Sequence, residues 1–339
     1  MPSAWIVLHL TDRCRLDCRH CLRDPGATAR DLPPAVVEKV LDEAGTLHRI
    51  GHVALTGGEP TLHPELDAVL DAIVGRGLTW HLVTSGRGID RLVRLLDDAP
   101  RRREGLTAID LSLDGAAPET HDAIRGAGSH RDALAAALAC RARAIPFAFQ
   151  MAVNGRNAEE IERVGLLAAQ LGAGRVSFAM TQATGTEEDA SLRLPLAAWS
   201  AIQDRVGRLD EALKIPVSAA EGFPRRQPFH VCEPWRSEAL HVDVQGRLTL
   251  CCQLAGGPGG DLDVVADLAT TPLASAHASL LDRIHSLQRE RLELVAAGDA
   301  TGWDLPTCNW CARRHGRPHW TEEGRAGPPA ARARRGKGL

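Results

Sequence analysis

Short apolar runs alternate with longer amphipathic stretches through the first two thirds of the chain. Residues 6–10, 53–55, 80–83, 108–113, 147–153 and 176–180 have strand length, and 34–47, 66–74, 89–96, 129–143, 158–171 and 195–213 repeat apolar residues at helical spacing. Strand then helix, repeated through six units, predicts an α/β fold with a parallel sheet, because parallel neighbours need a crossover long enough to hold a helix. Six units are fewer than the eight of a closed barrel. Chemistry in such folds gathers at the C-terminal ends of the strands, where loops vary without disturbing the core.

The pattern changes after residue 213. A Pro-rich connector (EGFPRRQPFHVCEP) leads into residues 241–250, which alternate apolar and polar on both sides of Gln245-Gly246 and predict a β-hairpin. A helix is expected over 273–297, with Leu280, Ile284, Leu287 and Leu294 on one face. The expected organisation is a large domain over 1–214, a small hairpin-plus-helix domain over 215–320, and a disordered, solvated tail over 321–339, rich in Gly, Pro, Ala and Arg.

Composition narrows the function classes. The chain has 339 residues, 44% hydrophobic and 24% charged, with a net charge of −3, so nothing marks it as a general binder of nucleic acid. No apolar run approaches the ~18 residues of a membrane span, and the N-terminus lacks the basic start and cleavage site of a signal peptide, which predicts a cytoplasmic protein with no membrane partner. Structural disulfides are not expected among nine cysteines in a reducing compartment. Seven of the nine fall in metal-ligand spacings. Cys140 sits in an Ala-rich helix and reads as core packing. Cys252 is expected to point away from Cys251 along a strand, as a buried thiol or a hydrogen-atom donor.

The candidate chemistry starts in LTDRCRLDCRHCLRD, where Cys14, Cys18 and Cys21 are spaced C-x3-C-x2-C directly after the first strand. Three thiolates on a 4Fe-4S cluster leave one iron open to a non-protein ligand. A zinc knot is the alternative, with His20 as a fourth ligand. Gly57, Gly58, Glu59 and Pro60 follow the second strand, and consecutive glycines let a backbone approach a ligand closely. Ser85 ends the third strand in Thr-Ser-Gly, Ser112 and Asp114 end the fourth in Ser-Leu-Asp-Gly, and Arg125 follows in His-Asp-Ala-Ile-Arg-Gly. Gln150, Thr181 and Gln182 lie where they would face substrate or water. Farther on, Cys232 and Cys251 flank the hairpin, and Cys308 and Cys311 form a C-x2-C that the preceding helix can bring back to it.

Taken together, these motifs resemble those of the radical S-adenosylmethionine (radical SAM) superfamily. The resemblance implies an open, TIM-like (β/α)6 partial barrel with Cys14, Cys18 and Cys21 on a 4Fe-4S cluster. The free iron would chelate S-adenosylmethionine, and its one-electron cleavage would release a 5′-deoxyadenosyl radical that takes a hydrogen atom from substrate. The glycine-rich segment Gly57 to Pro60 would bind the methionyl amine, Ser85, Ser112 and Asp114 would meet amine or ribose, and Arg125 would pair with the carboxylate. His20 stands where relatives usually carry an aromatic residue, and would lie against the adenine. The C-terminal cysteines resemble a Twitch domain, a shortened SPASM domain, which implies that Cys232, Cys251, Cys308 and Cys311 hold an auxiliary 4Fe-4S cluster; a zinc ribbon is the alternative.

An auxiliary cluster can accept the electron that a substrate radical loses on oxidation. The main functional expectation is therefore an oxidoreductase that dehydrogenates a polar small molecule, such as an aminocyclitol or sugar of natural-product biosynthesis, with a flavodoxin or ferredoxin as reductant. The cysteine motif begins at residue 14, which leaves no room before it for a peptide-recognition domain. The alternatives are a maturase that crosslinks, oxidises or epimerises a short ribosomally made peptide, and a non-catalytic zinc-binding scaffold.

Overall fold

A computed structural model describes residues 5–23, 28–47, 50–186, 188–220, 231–254, 261–323 and 326–327. The first elements are β1 (Trp5–Thr11), α1 (Pro34–Leu47), β2 (His52–Gly57), α2 (Leu66–Gly75), β3 (Thr79–Thr84), α3 (Ile89–Asp98) and the short α4 (Pro100–Glu104). Then come β4 (Leu106–Ser112), α5 (Pro118–Arg125), α6 (Ser129–Ala142), β5 (Phe147–Val153), α7 (Ile161–Leu171), β6 (Val176–Met180), α8 (Asp189–Leu192), α9 (Leu196–Ala212) and β7 (Val217–Ala219). The C-terminal part holds β8 (Ala239–Val242), β9 (Arg247–Thr249), β10 (Val264–Asp267), α10 (Leu273–Ala296), α11 (Thr307–Arg314), β11 (His319–Trp320) and β12 (Ala326–Gly327).

Strands β1 to β7 form a parallel sheet in chain order, so the predicted six-unit α/β pattern is present with a seventh short strand after α9. The sheet is open: its order is β10-β9-β8-β1-β2-β3-β4-β5-β6-β7. The expected hairpin forms, and its first strand, β8, pairs parallel with β1 from Trp5↔Ala239 to Leu8↔Val242, so the residues beyond 214 continue the same sheet. Within the segment expected as a disordered tail, Ala326–Gly327 pair antiparallel with His319–Trp320; residues 324–325 and 328–339 lie outside the described residues.

The strands are buried on both faces, with period-2 alternation deciding which side each residue serves. Ile6, Leu8, Leu10, Val53, Leu55, Ile109, Leu111, Phe149 and Phe178 join the large core cluster with apolar residues of α1, α2, α3, α6, α7, α8 and α9. The opposite positions face the barrel lumen. Near its strand-N-terminal end Val7, Ala54 and Ala239 form a small apolar plug with Trp5, and Asp110, fully buried, is met by Arg175 at 2.6 Å. Among the described residues, no helix is long and apolar enough to cross a membrane.

Candidate active site

The loop that carries Cys14, Cys18 and Cys21 leaves β1 at Thr11 and is anchored at both ends. Thr11 Oγ1 donates to Asp31 at 2.6 Å and accepts from the Arg13 amide at 3.0 Å, while Arg13 pairs with Asp31 at 2.9 Å. Farther along, the Arg19 amide donates to the Ile124 carbonyl at 3.0 Å, and the Cys18 thiol lies 3.8 Å from the Arg125 carbonyl. Helix α5 thus holds the loop from outside. Sequence periodicity passes over α5, yet Pro118 at its start and Gly126 just past its end are the signal that marks it. The three cysteines are partly exposed, and each lies in the electrostatic reach of another: burial, then neighbouring charges including Cys21 and Cys14, pushes the Cys18 thiol up to about 11, and burial also raises Cys14.

The Gly-Gly-Glu-Pro segment packs its backbone against the cysteine loop. Gly58 N donates to Thr11 O at 2.6 Å and Glu59 N to Arg13 O at 2.7 Å, so the end of β2 crosses directly under the cysteine loop. A Cβ on Gly57 would stand 2.6 Å from Thr11 O, and one on Gly58 2.3 Å from Arg13 O. The glycines are required for this chain-to-chain crossing. Glu59 is buried and spent inside the protein: it accepts from Thr61 Oγ1 (2.8 Å), Thr84 Oγ1 (2.7 Å) and Ser85 Oγ (2.7 Å). Ser85 accordingly meets Glu59, and Pro60 is buried, which leaves the backbone around exposed Gly57 as the open part of this segment.

Three other residues expected at the ligand meet one another within the chain. Asp114 has no exposed surface; it accepts from the Ala152 amide at 2.8 Å and from Arg125 Nε at 2.5 Å, with His20 Nε2 at 3.5 Å. Arg125, expected to pair with a ligand carboxylate, pairs with Asp114, because a buried carboxylate demands a cation at short range. His20, expected against an adenine, turns to the same carboxylate. Burial works against the Asp114 charge, but Arg125 foremost among its neighbours outweighs it and holds the carboxyl below the usual range; burial drives His20 down to about 4. Ser112 is nearly buried at the end of β4, and Gln150 turns to Asp110 at 3.5 Å.

Two histidines of the lumen were not singled out by sequence. His241 on β8 is 4% exposed with no hydrogen-bond partner at either ring nitrogen, and His9 on β1 has none at Nε2. Both are held down to about 4, burial being the main cause. An imidazole neutral in the fold takes up a proton below about pH 6.5 once unfolded, so its contribution to stability is intact above that pH and is lost as the pH falls toward 4. For His241 this amounts to about 2 kcal/mol between pH 7 and pH 5. Urea titrations at the two values are expected to show that loss and to show it reduced in His241→Leu; an unchanged pH dependence in the variant would contradict this assignment.

The C-terminal cysteines come from three places in the chain. Cys232 precedes a turn at Pro234–Arg236, Cys251 follows β9, and Cys308 and Cys311 lie one turn apart on one face of α11. Burial raises the Cys311 thiol well above its ordinary value, and the charges of Cys232, Cys308 and Cys251 raise it further. Trp310, next to Cys311 in the chain, stands edge-on to Trp235 at 5.6 Å between ring centroids. The chain turns after Thr249, so the strand alternation expected to point Cys252 away from Cys251 does not extend there, and Cys252 helps to raise the Cys251 thiol well above its ordinary value. Cys140 is fully buried in the core as expected. Among the described residues, no three His, Cys, Asp or Glu side chains gather tightly enough to hold a single metal ion.

A cavity of about 430 Å³ is lined by Cys18 and Cys21 of the first cysteine group and by Cys308 of the second, together with Gln182 and Thr184, which follow β6. Charged side chains also reach it, including Arg19 and Glu188, which pair at 2.6 Å.

The model of the radical SAM superfamily matches residues 8–168. The "PqqA peptide cyclase" of Ruegeria pomeroyi is 33% identical over 261 residues, 73% of this chain and 67% of that one. A protein of the same name from Streptomyces rochei is 28% identical over 320 residues, 92% of this chain and 82% of that one. Among solved structures, Streptococcus suis SuiB bound to its precursor peptide SuiA superimposes with a TM-score of 0.64 at 14% identity, over 80% of this chain and 64% of that one, a likeness of fold.

Proposed function

Because the chain belongs to the radical SAM superfamily, we propose that it is a peptide maturase that removes a hydrogen atom from a residue held in the cavity between its two cysteine groups. Membership of the family implies a 4Fe-4S cluster and S-adenosylmethionine. The donors fit: three partly exposed thiols on one anchored loop, close enough to perturb one another, face the cavity through Cys18 and Cys21. When bound, the cluster and S-adenosylmethionine supply a 5′-deoxyadenosyl radical. Cys14, Cys18 and Cys21 would hold the cluster, and the backbone beside Gly57 would meet the methionyl group. Asp114, Arg125 and His20 would act as positioning residues, since they meet each other and the loop. Cys232, Cys251, Cys308 and Cys311 would hold the auxiliary cluster, and a flavodoxin or ferredoxin would supply electrons.

The observation that carries this reading is the cavity itself. It reaches both cysteine groups, so a bound residue could lose a hydrogen atom on one side and an electron on the other. The names of the relatives favour a peptide over the small polar molecule expected first. The anaerobically reconstituted enzyme, given S-adenosylmethionine, reductant and the short peptides encoded beside its gene, is expected to form 5′-deoxyadenosine together with a peptide lighter by two hydrogens. A peptide of unchanged mass after turnover in H2O that gains one deuterium after turnover in D2O would indicate epimerisation. Turnover with aminocyclitols or sugars and none with peptides would restore the small-molecule reading.

A further inference from the structure

The apolar seam of α10 runs through Leu280, Ile284 and Leu287, all buried, and the next position on it is Arg291, also buried at 5% exposure. A leucine would continue that seam at far lower cost, since a buried guanidinium must be met by anions or acceptors. The surroundings show what meets it. Arg291 Nη2 donates to the Leu305 carbonyl at 2.7 Å, just ahead of α11, and the adjacent Glu290 accepts from Arg314 Nη2 at 3.1 Å at the other end of that helix. Two consecutive residues of α10 therefore hold α11, with Cys308 and Cys311, in place.

Three of the C-terminal cysteines lie within electrostatic reach of Arg291. Burial disfavours its cation, and the groups that favour it are Cys311, Cys232 and Cys308, ahead of Asp304. Asp304 also meets Arg313 at 2.9 Å and accepts from Thr301 Oγ1 at 2.8 Å. Protonated thiols offer the guanidinium little, whereas thiolates on a metal centre are negative at neutral pH. The arrangement is matched to the loaded site.

We propose that Arg291 is the built-in counter-charge of the four-cysteine site and favours the reduced state of a cluster held there. The proposal rests on reading Cys232, Cys251, Cys308 and Cys311 as ligands of an auxiliary 4Fe-4S cluster. One electron added to such a cluster adds one negative charge beside the buried guanidinium, and net charge is among the factors that set cluster potentials. The electron would come from the substrate radical of the proposed reaction, which loses a proton to a base at the same time. Arg291 then makes the cluster a better acceptor.

The test uses the full chain carrying Cys14→Ala, Cys18→Ala and Cys21→Ala, so that any signal comes from the C-terminal site. Adding Arg291→Met, which keeps much of the side-chain length without its charge, is expected to lower the midpoint potential in an EPR-monitored redox titration by at least a tenfold change in the reduced-to-oxidised ratio, 59 mV for a one-electron couple. Arg291→Lys is expected to recover most of the shift. An unchanged midpoint in Arg291→Met at full iron and sulfide content overturns the proposal and leaves the auxiliary cluster standing. If Arg291→Met loses the cluster, retention of iron by Arg291→Lys supports the charge role, and equal loss in both variants overturns it in favour of packing. Zinc in place of iron in the parent chain overturns the cluster reading and the proposal with it.

Discussion

Replacing Cys14, Cys18 and Cys21 together with alanine is expected to reduce S-adenosylmethionine cleavage to the uncatalysed background while about half of the iron and sulfide stays bound. The reasoning starts from where the loop gets its shape. Thr11, Arg13 and Asp31 fix its first turn, and the α5 carbonyls of Ile124 and Arg125 fix its far end. None of these contacts except that of the Cys18 thiol involves a side chain being replaced. The cysteines are partly exposed, so shortening them opens no large core cavity, and the change in stability is expected to stay below about 1 kcal/mol per site. The substitution therefore removes ligands and little else. About eight irons per chain in the parent should become about four, with the remainder held by the C-terminal cysteines. Iron falling to nothing would leave those cysteines without a cluster and move redox-neutral chemistry forward. Cleavage that survives the substitution would remove the loop from the centre of the mechanism.

What the sequence discloses and what it hides divide along the range of the interactions involved. Strand and helix periods are local, so β5, β6 and α1 could be placed to the residue from alternation and apolar spacing alone. A hairpin and a returning helix leave the chain few ways to arrange its C-terminal cysteines, and Cys232, Cys251 and Cys308 all lie within electrostatic reach of Cys311. Pairing across the chain is not local. Nothing in 239–242 shows that β8 will lie parallel beside β1 and extend the main sheet, since its four residues are equally compatible with a hairpin standing alone. The partners of the site residues are hidden for a related reason. Sequence places Asp114, Arg125 and Glu59 at the mouth of the barrel, but cannot say whether a buried charge is answered by a ligand or by a neighbour. Arg125 lies eleven residues from Asp114 and meets it through the turn into α5, a helix that periodicity alone did not reveal. The buried Arg291 was hidden by the opposite habit: a charged residue in an amphipathic helix reads as solvent-facing unless the seam is followed to its end.

Gly58→Ala is expected to destabilise the protein by about 2 to 4 kcal/mol and to deplete the iron held at the N-terminal loop more than that held at the C-terminal one. Ordinary glycine arguments concern a backbone angle, but here the constraint is a crossing of two backbones. The added methyl would stand 2.3 Å from the Arg13 carbonyl oxygen and 2.9 Å from its carbon, and neither atom can rotate aside as a side chain would. Relief requires the strand end and the cysteine loop to separate, which lengthens the bonds from Gly58 N to Thr11 O and from Glu59 N to Arg13 O. Arg13 is the residue before Cys14, so the displacement enters the ligand set directly. Gly207→Ala in α9 supplies the control, because nothing lies within 4 Å of its Cβ position, and alanine there is expected to stabilise by about 0.5 to 1 kcal/mol. Denaturant midpoints and iron content measured on both variants separate the two effects. A Gly58→Ala protein as stable as its parent, with its iron intact, would show that the crossing can open without cost and would detach the glycine segment from the assembly of the cysteine loop.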